Sequence, residues 1–555
     1  MNDSRTGQHT PTLLVGCAGV ALVVGSMVAF NTALGDIARA TSATQTQLTW
    51  IVDGYTVALA CLLLPAGAIG DRYGRRSALL GGLSVFAIAS IAPAFTDGPD
   101  PIVVWRIVAG AGAAFVMPAT LALMGQACPR HLRPRVVGLW AAVAGCAGVA
   151  GMLGSAVLLE VSDWRGICWA LGAAAVVVAA TACAVPPSLN ADAPPVDWVG
   201  SVLIAVAIAV VVMALLDAPH RGWDHPLTIA GLAAGASVGW LFIVVERRRP
   251  AALLDVALFT DVRFAAAVAT VVVLFASTFG FFYLAMQYAQ LILGYSPLSA
   301  ALAFAPFALP VVVLSALSLR YAPRLGLRTV LAAGLGLIGV GFTSMLLLQQ
   351  DSPYLLLAVT VLLIGSGIGL CTASATSAIM ATVRDERQGL GSAINDVARE
   401  IGAALGIAVA GSVLAERYSH TVAPRLPSLP EPLRTPVTES PGLALEVART
   451  LGVNGERINE AALAAFMTAT HTAALVLAIT AGGAAVWISC RSYSRKERKG
   501  VREDHEIACP TGGVGWLGSR HPHRRGTVVP VGTVDEAGRD QTIRTADRRG
   551  DGRER

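Results

Sequence analysis

Three charged side chains near residue 400 have the types and spacing to carry a proton. Asp396, Arg399 and Glu400 fall at i, i+3 and i+4, so on a helix they share a face. Arg399 can then neutralise one carboxylate and leave the other to titrate. A second couple is Asp53 with Arg106. Each lies four to five residues past the start of its own apolar run, at similar depth, which makes an ion pair that responds to protonation of Asp53 possible. The third constellation is Gly67-Ala68-Ile69-Gly70-Asp71-Arg72-Tyr73-Gly74-Arg75-Arg76. Its small residues permit close packing and a sharp turn, and Asp71 can accept from a helix end or pair with an arginine across a gate. Each constellation has a plainer reading. Asp53 and Arg106 can both reach water at an interface; Asp396 to Glu400 can be a solvated first turn whose acids suit the helix dipole; and the basic loop can do no more than fix topology.

The elements that must hold these residues are membrane helices. Of 555 residues, 54% are hydrophobic and 14% charged, against about 25% charged in a soluble domain. That excludes a cytosolic enzyme and, for most of the length, disorder. Apolar runs long enough to cross a 30 Å hydrocarbon core occupy about 12–35, 48–69, 77–95, 102–125, 135–159, 166–186, 197–217, 226–245, 264–290, 298–320, 327–348, 354–378, 392–414 and 468–488. The reading is an all-α integral membrane protein of about fourteen helices, the thirteenth being the one with a polar opening. Arginines set the orientation. With the N-terminus inside, cytoplasmic loops hold Arg72, Arg75 and Arg76, Arg130, Arg133 and Arg135, Arg247 to Arg249 and Arg263, Arg320, Arg324 and Arg328, and Arg384 and Arg387, and both termini are cytoplasmic. Glu400 then lies about 12 Å from the cytoplasmic end of its helix, where a carboxylate can exchange a proton away from bulk water.

The chain also echoes itself. Asp71 to Arg76 has a faint counterpart in Pro323-Arg324-Leu325-Gly326-Leu327-Arg328, 252 residues later and in the same place if helices 1–6 and 9–14 are equivalent halves. The expected organisation is a cytoplasmic N-terminus (1–11), a six-helix bundle (12–186), an inserted helix pair (197–245), a second six-helix bundle (264–490) with a long external loop at about 415–465, in which 442–466 with Leu443, Leu445, Val447 and Leu451 can form an amphipathic surface helix, and a basic cytoplasmic tail (491–555). The net charge of +5 belongs to that tail, because residues 1–490 hold 26 basic and 26 acidic groups.

The Gly67 to Arg76 segment resembles the signature of the major facilitator superfamily between its second and third helices. Trp50-Ile51-Val52-Asp53-Gly54-Tyr55, Asp197-Trp198-Val199-Gly200, Leu258-Phe259, Gln290 with Gly294-Tyr295-Ser296-Pro297, and Asn395-Asp396 with Arg399-Glu400-Ile401-Gly402 resemble its 14-helix drug:proton antiporter branch, over about residues 12–490. The resemblance implies a major facilitator fold and proton-coupled efflux of hydrophobic or amphipathic small molecules by alternating access. Arg106 fits the branch's R-x-x-Q-G pattern, with Ala109 in place of the glutamine. Two departures stand out. The first helix keeps Asn31 but has Ser26 for the branch's acid, Val28 for its threonine and Gly35 for its proline. The fifth has Gly151-Met152-Leu153-Gly154-Ser155-Ala156, without the antiporter proline. Losing the acid removes one titrating group and one attraction for cations.

Candidate cavity residues are Phe30, Asn31, Tyr283, Gln287 and Gln290, with Phe279, Phe281, Phe282, Phe304 and Phe307 as apolar walls; each aromatic can equally face lipid or a neighbouring helix. His471 is either a relay or an interfacial residue. The nine cysteines are scattered singly and read as packing residues. The lysines are Lys496 and Lys499, so the chain holds no phosphate-binding G-x-x-x-x-G-K-S/T loop, and no enzyme motif is present. The expected partners are a small-molecule substrate, protons and the lipid bilayer, without nucleic acid. No cofactor is expected beyond a proton gradient, the protein is expected to be monomeric, and the site is the cell membrane. Export of an endogenous metabolite, or a non-transporting sensor with the same fold, remain the other readings.

Overall fold

In lipid a backbone polar group has no water to bond, so an apolar run must satisfy its own N–H and C=O groups, which a helix does. The computed structural model describes residues 3–129, 132–187, 195–249, 253–426 and 431–490. The basic tail expected at 491–555 lies outside the described residues. Among these residues there is no strand, and fourteen helical stretches are long and apolar enough to cross a membrane. In chain order the helices are α1 (Asp3–Thr41), α2 (Gln45–Tyr73), α3 (Arg75–Ile91), α4 (Pro99–Ala127), α5 (Arg133–Val161), α6 (Trp164–Ala182), α7 (Trp198–Arg221), α8 (Pro226–Glu246) and α9 (Val262–Leu291). They continue as α10 (Pro297–Phe304), α11 (Ala308–Leu325), α12 (Leu327–Met345), α13 (Tyr354–Thr382), α14 (Gln388–Val422), α15 (Glu431–Glu439), α16 (Pro441–Leu451) and α17 (Glu456–Cys490).

α1 to α6 pack on one another, and α9 to α14 with α17 form a second group. The seam between the groups is built from α2 and α4 against α14, and from α5 against α11 and α13. α7 packs on both α2 and α14, so the inserted pair is seated at the seam, while α8 leans on α7. Close approach within a group depends on small residues. A Cβ on Gly151 of α5 would lie 2.5 Å from the carbonyl oxygen of Gly25 on α1, so the glycine retained from the fifth-helix pattern sets the α1–α5 crossing beside Ser26.

The internal echo has a backbone counterpart. Gly74 links α2 to α3 at φ 104° and ψ 125°, and Gly326 links α11 to α12 at φ 85° and ψ 141°. Each donates its N–H four residues back, to Gly70 O and Ala322 O respectively. A side chain at positive φ is strained, so both turns call for glycine.

Three expectations about elements need correction. The tenth span is not one helix: α10 and α11 are separated by a 3-10 turn at Ala305–Phe307, where Pro306 brings no backbone N–H to continue the ladder. The segment expected as a loop at 415–465 is more helical than that: α14 runs on to Val422 and α15 and α16 fold back on its end, with Tyr418 Oη donating to Val437 O, and α16 overlaps the stretch read as a surface helix. The last helix begins at Glu456, not near 468. Its first turns are polar outside, but Ile458, Ala461, Ala462 and Ala465 recur at helical spacing and are buried.

Candidate gate and transport site

Asp71 ends α2 on the arginine-rich end of the bundle and binds across the seam. Its Oδ1 accepts from Gly389 N at 3.0 Å and its Oδ2 from Leu390 N at 3.0 Å, so the carboxylate of one half caps the first turn of α14 in the other. Arg75 Nε also donates to Asp71 Oδ1, at 2.8 Å, and its guanidinium reaches Asp385 O at 3.2 Å. Arg133 at the start of α5 pairs with the Asp385 carboxylate at 2.6 Å. Gly67 makes the approach possible, because a Cβ there would meet Gly389 O at 2.7 Å. Arg76 donates to Cys183 O at 2.7 Å, and Arg72 lines a small cavity with Asp71, Asp197 and Leu390. Of the two options open to Asp71 in the sequence, the helix end is the one taken across the seam; the arginine it pairs with is Arg75, four residues on in the same half, and not one across the gate. The turn before α14 also walls a cavity of about 580 Å³, with Leu121, Arg133, Val137, Met380 and Gln388 among its lining residues.

Arg106 does not pair with Asp53. Its guanidinium, 2% exposed, donates to Ile51 O at 3.0 Å and to Ser26 Oγ at 3.2 Å, and lies over the rings of Phe30 and Tyr55, 4.2 Å from each centroid. Nη2 has no partner. The reason is helical phase. Ile51 and Tyr55 are four apart and face α4, whereas Asp53 between them points about 200° away from Ile51. Asp53 is half-buried, and the charge that bears on it is Asp217 of α7, itself paired with Arg221 at 3.1 Å. The side chain facing Arg106 is Ser26, at the position where the resembled branch carries its acid. The sequence marks that position as a loss but not as this arginine's partner.

The α14 group lies deep in the protein. Asp396 is the ninth residue of α14 and 1% exposed, so the solvated first turn does not hold. Its Oδ1 accepts from Asn395 Nδ2 at 3.3 Å and, at 3.5 Å, from Arg399; its Oδ2 has no partner. Arg399 spans the seam, 5.1 Å from the ring of Trp140 on α5 and 4.6 Å from that of Phe275 on α9. Glu400 Oε2 is buried and unpartnered, and its charge bears on Tyr55, which stacks on Arg106.

Of the five expected cavity residues the structure brings together Tyr283 and Gln287, on successive turns of α9. Phe30 is buried beneath Arg106, Asn31 and Gln290 are exposed, and Gln287 donates to Tyr283 O in its own helix at 3.3 Å. Tyr283 packs against Gly411. Phe281, Phe282, Phe304 and Phe307 form an aromatic cluster with edge-to-face geometry, its closest centroids 5.0 Å apart between Phe282 and Phe307, so these rings are core. His471 bonds Leu348 O at 2.8 Å and fastens α17 to the end of α12.

Comparisons with known proteins place this architecture. The major facilitator superfamily model matches residues 16–407. Multidrug resistance protein Stp of Mycobacterium tuberculosis is 33% identical over 426 residues, covering 76% of this chain and 79% of that protein. Multidrug efflux pump LfrA of Mycolicibacterium smegmatis is 29% identical over 487 residues, 85% of this chain and 96% of its own. Among solved structures, a bacterial homologue of the human lysosomal transporter Spinster aligns with a TM-score of 0.55 at 14% identity, over 89% of this chain and all of that one (100%). The proton:xylose symporter XylE aligns with a TM-score of 0.54 at 12% identity, over 87% and 96%. The chain belongs to the major facilitator superfamily.

Proposed function

We propose that the protein exports hydrophobic or amphipathic small molecules in exchange for protons, by alternating access, with its arginine-rich end and both termini in the cytoplasm. The names of Stp and LfrA support the substrate class. One structural observation supports the coupling: the helix whose N-terminus is held across the seam is the helix whose two acids, Asp396 and Glu400, each keep one buried oxygen without a donor. From Gly389 to Glu400 is about 16 Å along α14. A proton arriving at Glu400 or Asp396 changes the charge balance with Arg399, which rests on a ring from each half. Rebalancing there biases α14 towards or away from the Asp71 clamp, and proton release on the cytoplasmic side resets it. Reconstitution tests this. Glu400→Gln should cut pH-gradient-driven transport of a lipophilic cationic dye by at least about tenfold, roughly 1.4 kcal/mol in the coupled step. Counterflow of the same dye at equal pH should persist. Undiminished gradient-driven transport in both Glu400→Gln and Asp396→Asn would remove α14 from the coupling.

A second reading rests on Arg106. A buried guanidinium with an unpartnered Nη2 and a neutral serine in place of an acid favours a substrate that brings its own acceptor, such as a small polar or anionic metabolite. Competition of carboxylate metabolites against the dye separates the two.

A further inference from the structure

A pair of carboxylates outside the transport axis lacks the donors that burial calls for. Asp197 precedes α7 and caps it, Oδ1 accepting from Val199 N and Gly200 N at 3.0 Å each. The same oxygen takes Arg249 Nη1 at 2.5 Å. Glu246 ends α8 and is 2% exposed; its Oε2 accepts from Leu254 N at 3.2 Å. The other oxygen of each, Asp197 Oδ2 and Glu246 Oε1, is buried without a partner. Both point to one place: a Cβ on Gly200 would collide with Glu246 Oε1 and lie 2.9 Å from Asp197 Oδ2. Two acids from the two ends of the inserted pair thus converge over a residue that has no side chain.

The charges around them do not balance. Arg249 pairs with Asp197 and its charge reaches Glu246 as well, but no described cation forms an ion pair with Glu246, so one cation faces two acids. On the far side of Asp197, a small cavity is lined by Asp71 and Arg72 of α2, Glu386 and Arg387 ahead of α14, and Leu390. Asp71 is bound to Arg75 and to the α14 N-terminus. A buried carboxylate oxygen without a donor costs several kcal/mol or more, and the smallest ligand that removes both a charge and an orphaned acceptor is a proton.

We propose that Asp197 and Glu246 share one proton, making the junction of the inserted helices a proton-binding site separate from Asp396 and Glu400. The proton sits on Glu246, whose Oε1–H is donated towards Asp197 Oδ2, leaving the pair with one negative charge on Asp197 that Arg249 balances. Raising the pH strips the proton and sets two buried anions against each other beside the clamp.

Thermal unfolding of the full chain in detergent, followed from acid to alkaline pH, tests the site. Wild-type protein should lose several degrees of unfolding midpoint as the pH rises through neutral. Glu246→Gln, whose amide supplies the donor permanently, should keep the low-pH midpoint and lose most of that fall. Asp197→Asn keeps an N-cap acceptor and is the second variant, expected to flatten the profile in the same way. An unchanged pH profile in both variants would overturn the proposal. So would failure of both to fold, since each amide mimics the protonated acid that the site requires. Stabilisation of wild type by sodium, potassium or calcium at fixed ionic strength, absent in Glu246→Gln, would overturn it in favour of a metal cation.

Discussion

Arg106 lies between two aromatic rings with one carbonyl and one hydroxyl to satisfy five donors. Its stability therefore depends on Ser26. Removing the hydroxyl by Ser26→Ala leaves another buried donor unmet and should cost about 1–3 kcal/mol, seen as a lower unfolding midpoint in detergent. Ser26→Asp should act the other way, since a carboxylate at that point can reach the unpartnered Nη2 as well as Nη1 and converts a neutral hydrogen bond into a charge-assisted one. A fall in midpoint for Ser26→Asp would show that Arg106 is not short of an acceptor. The sequence contains both members of this couple, Arg106 and a first-helix position stripped of its acid. Depth along the helix suggested Asp53 instead. Depth is legible from residue counting, but the facing side also needs the rotation of three helices about their axes, which α1, α2 and α4 settle only by packing on one another.

At the scale of elements, α14 connects the gate to the buried acids, and its first turn is satisfied by a residue 318 positions earlier in the chain. Asp71→Asn would keep one acceptor but turn its amide N–H towards one of the two donors of α14, and would give up the negative charge that faces Arg75. Loss of a charge-assisted contact is worth about 1.5–3 kcal/mol. The expected result is a clamp that opens more often. Ser377→Cys, in the wall of the cavity beside the turn before α14, should react severalfold faster with a water-soluble maleimide in the Asp71→Asn background, and transport should fall about tenfold, or roughly 1.4 kcal/mol. Equal labelling rates would mean that Asp71 does not hold the seam. The motif itself was plain in the sequence, because glycine, acid and arginines are local. Its partner was not, because nothing near Gly389 marks a helix start that waits for a distant carboxylate. The turn at Gly326 shows the same limit. It repeats the backbone of Gly74, yet Pro323 stands where Asp71 would, so the second half keeps the shape of the turn without the acid that grips across the seam.

At the scale of the whole molecule, the fourteen spans and the sorting of charge were legible, since each depends on composition over about twenty residues. The placement of α7 was not. A helix apolar on every side does not announce which face meets α2, which meets α14 and which meets lipid. The packing makes one end of the bundle the end where the halves are tied by Asp71, Arg75 and Arg133, and the opposite end the one where α15 and α16 fold back on α14. Arginine sorting assigns the first to the cytoplasm, although the α15–α16 segment carries arginines of its own, Arg434 and Arg449. Long external segments cross regardless of charge, so the assignment rests on the short turns. Cysteine labelling in intact cells decides it. With the exposed native Cys183 and Cys490, and Cys509 of the tail, replaced by serine, Glu446→Cys on the exposed side of α16 should react with a membrane-impermeant maleimide from outside. Glu386→Cys, exposed in the turn before α14, should stay unlabelled until the membrane is permeabilised. The reverse pattern would invert the topology, place the Asp71 clamp on the outer face, and require proton and substrate to move in directions opposite to those proposed.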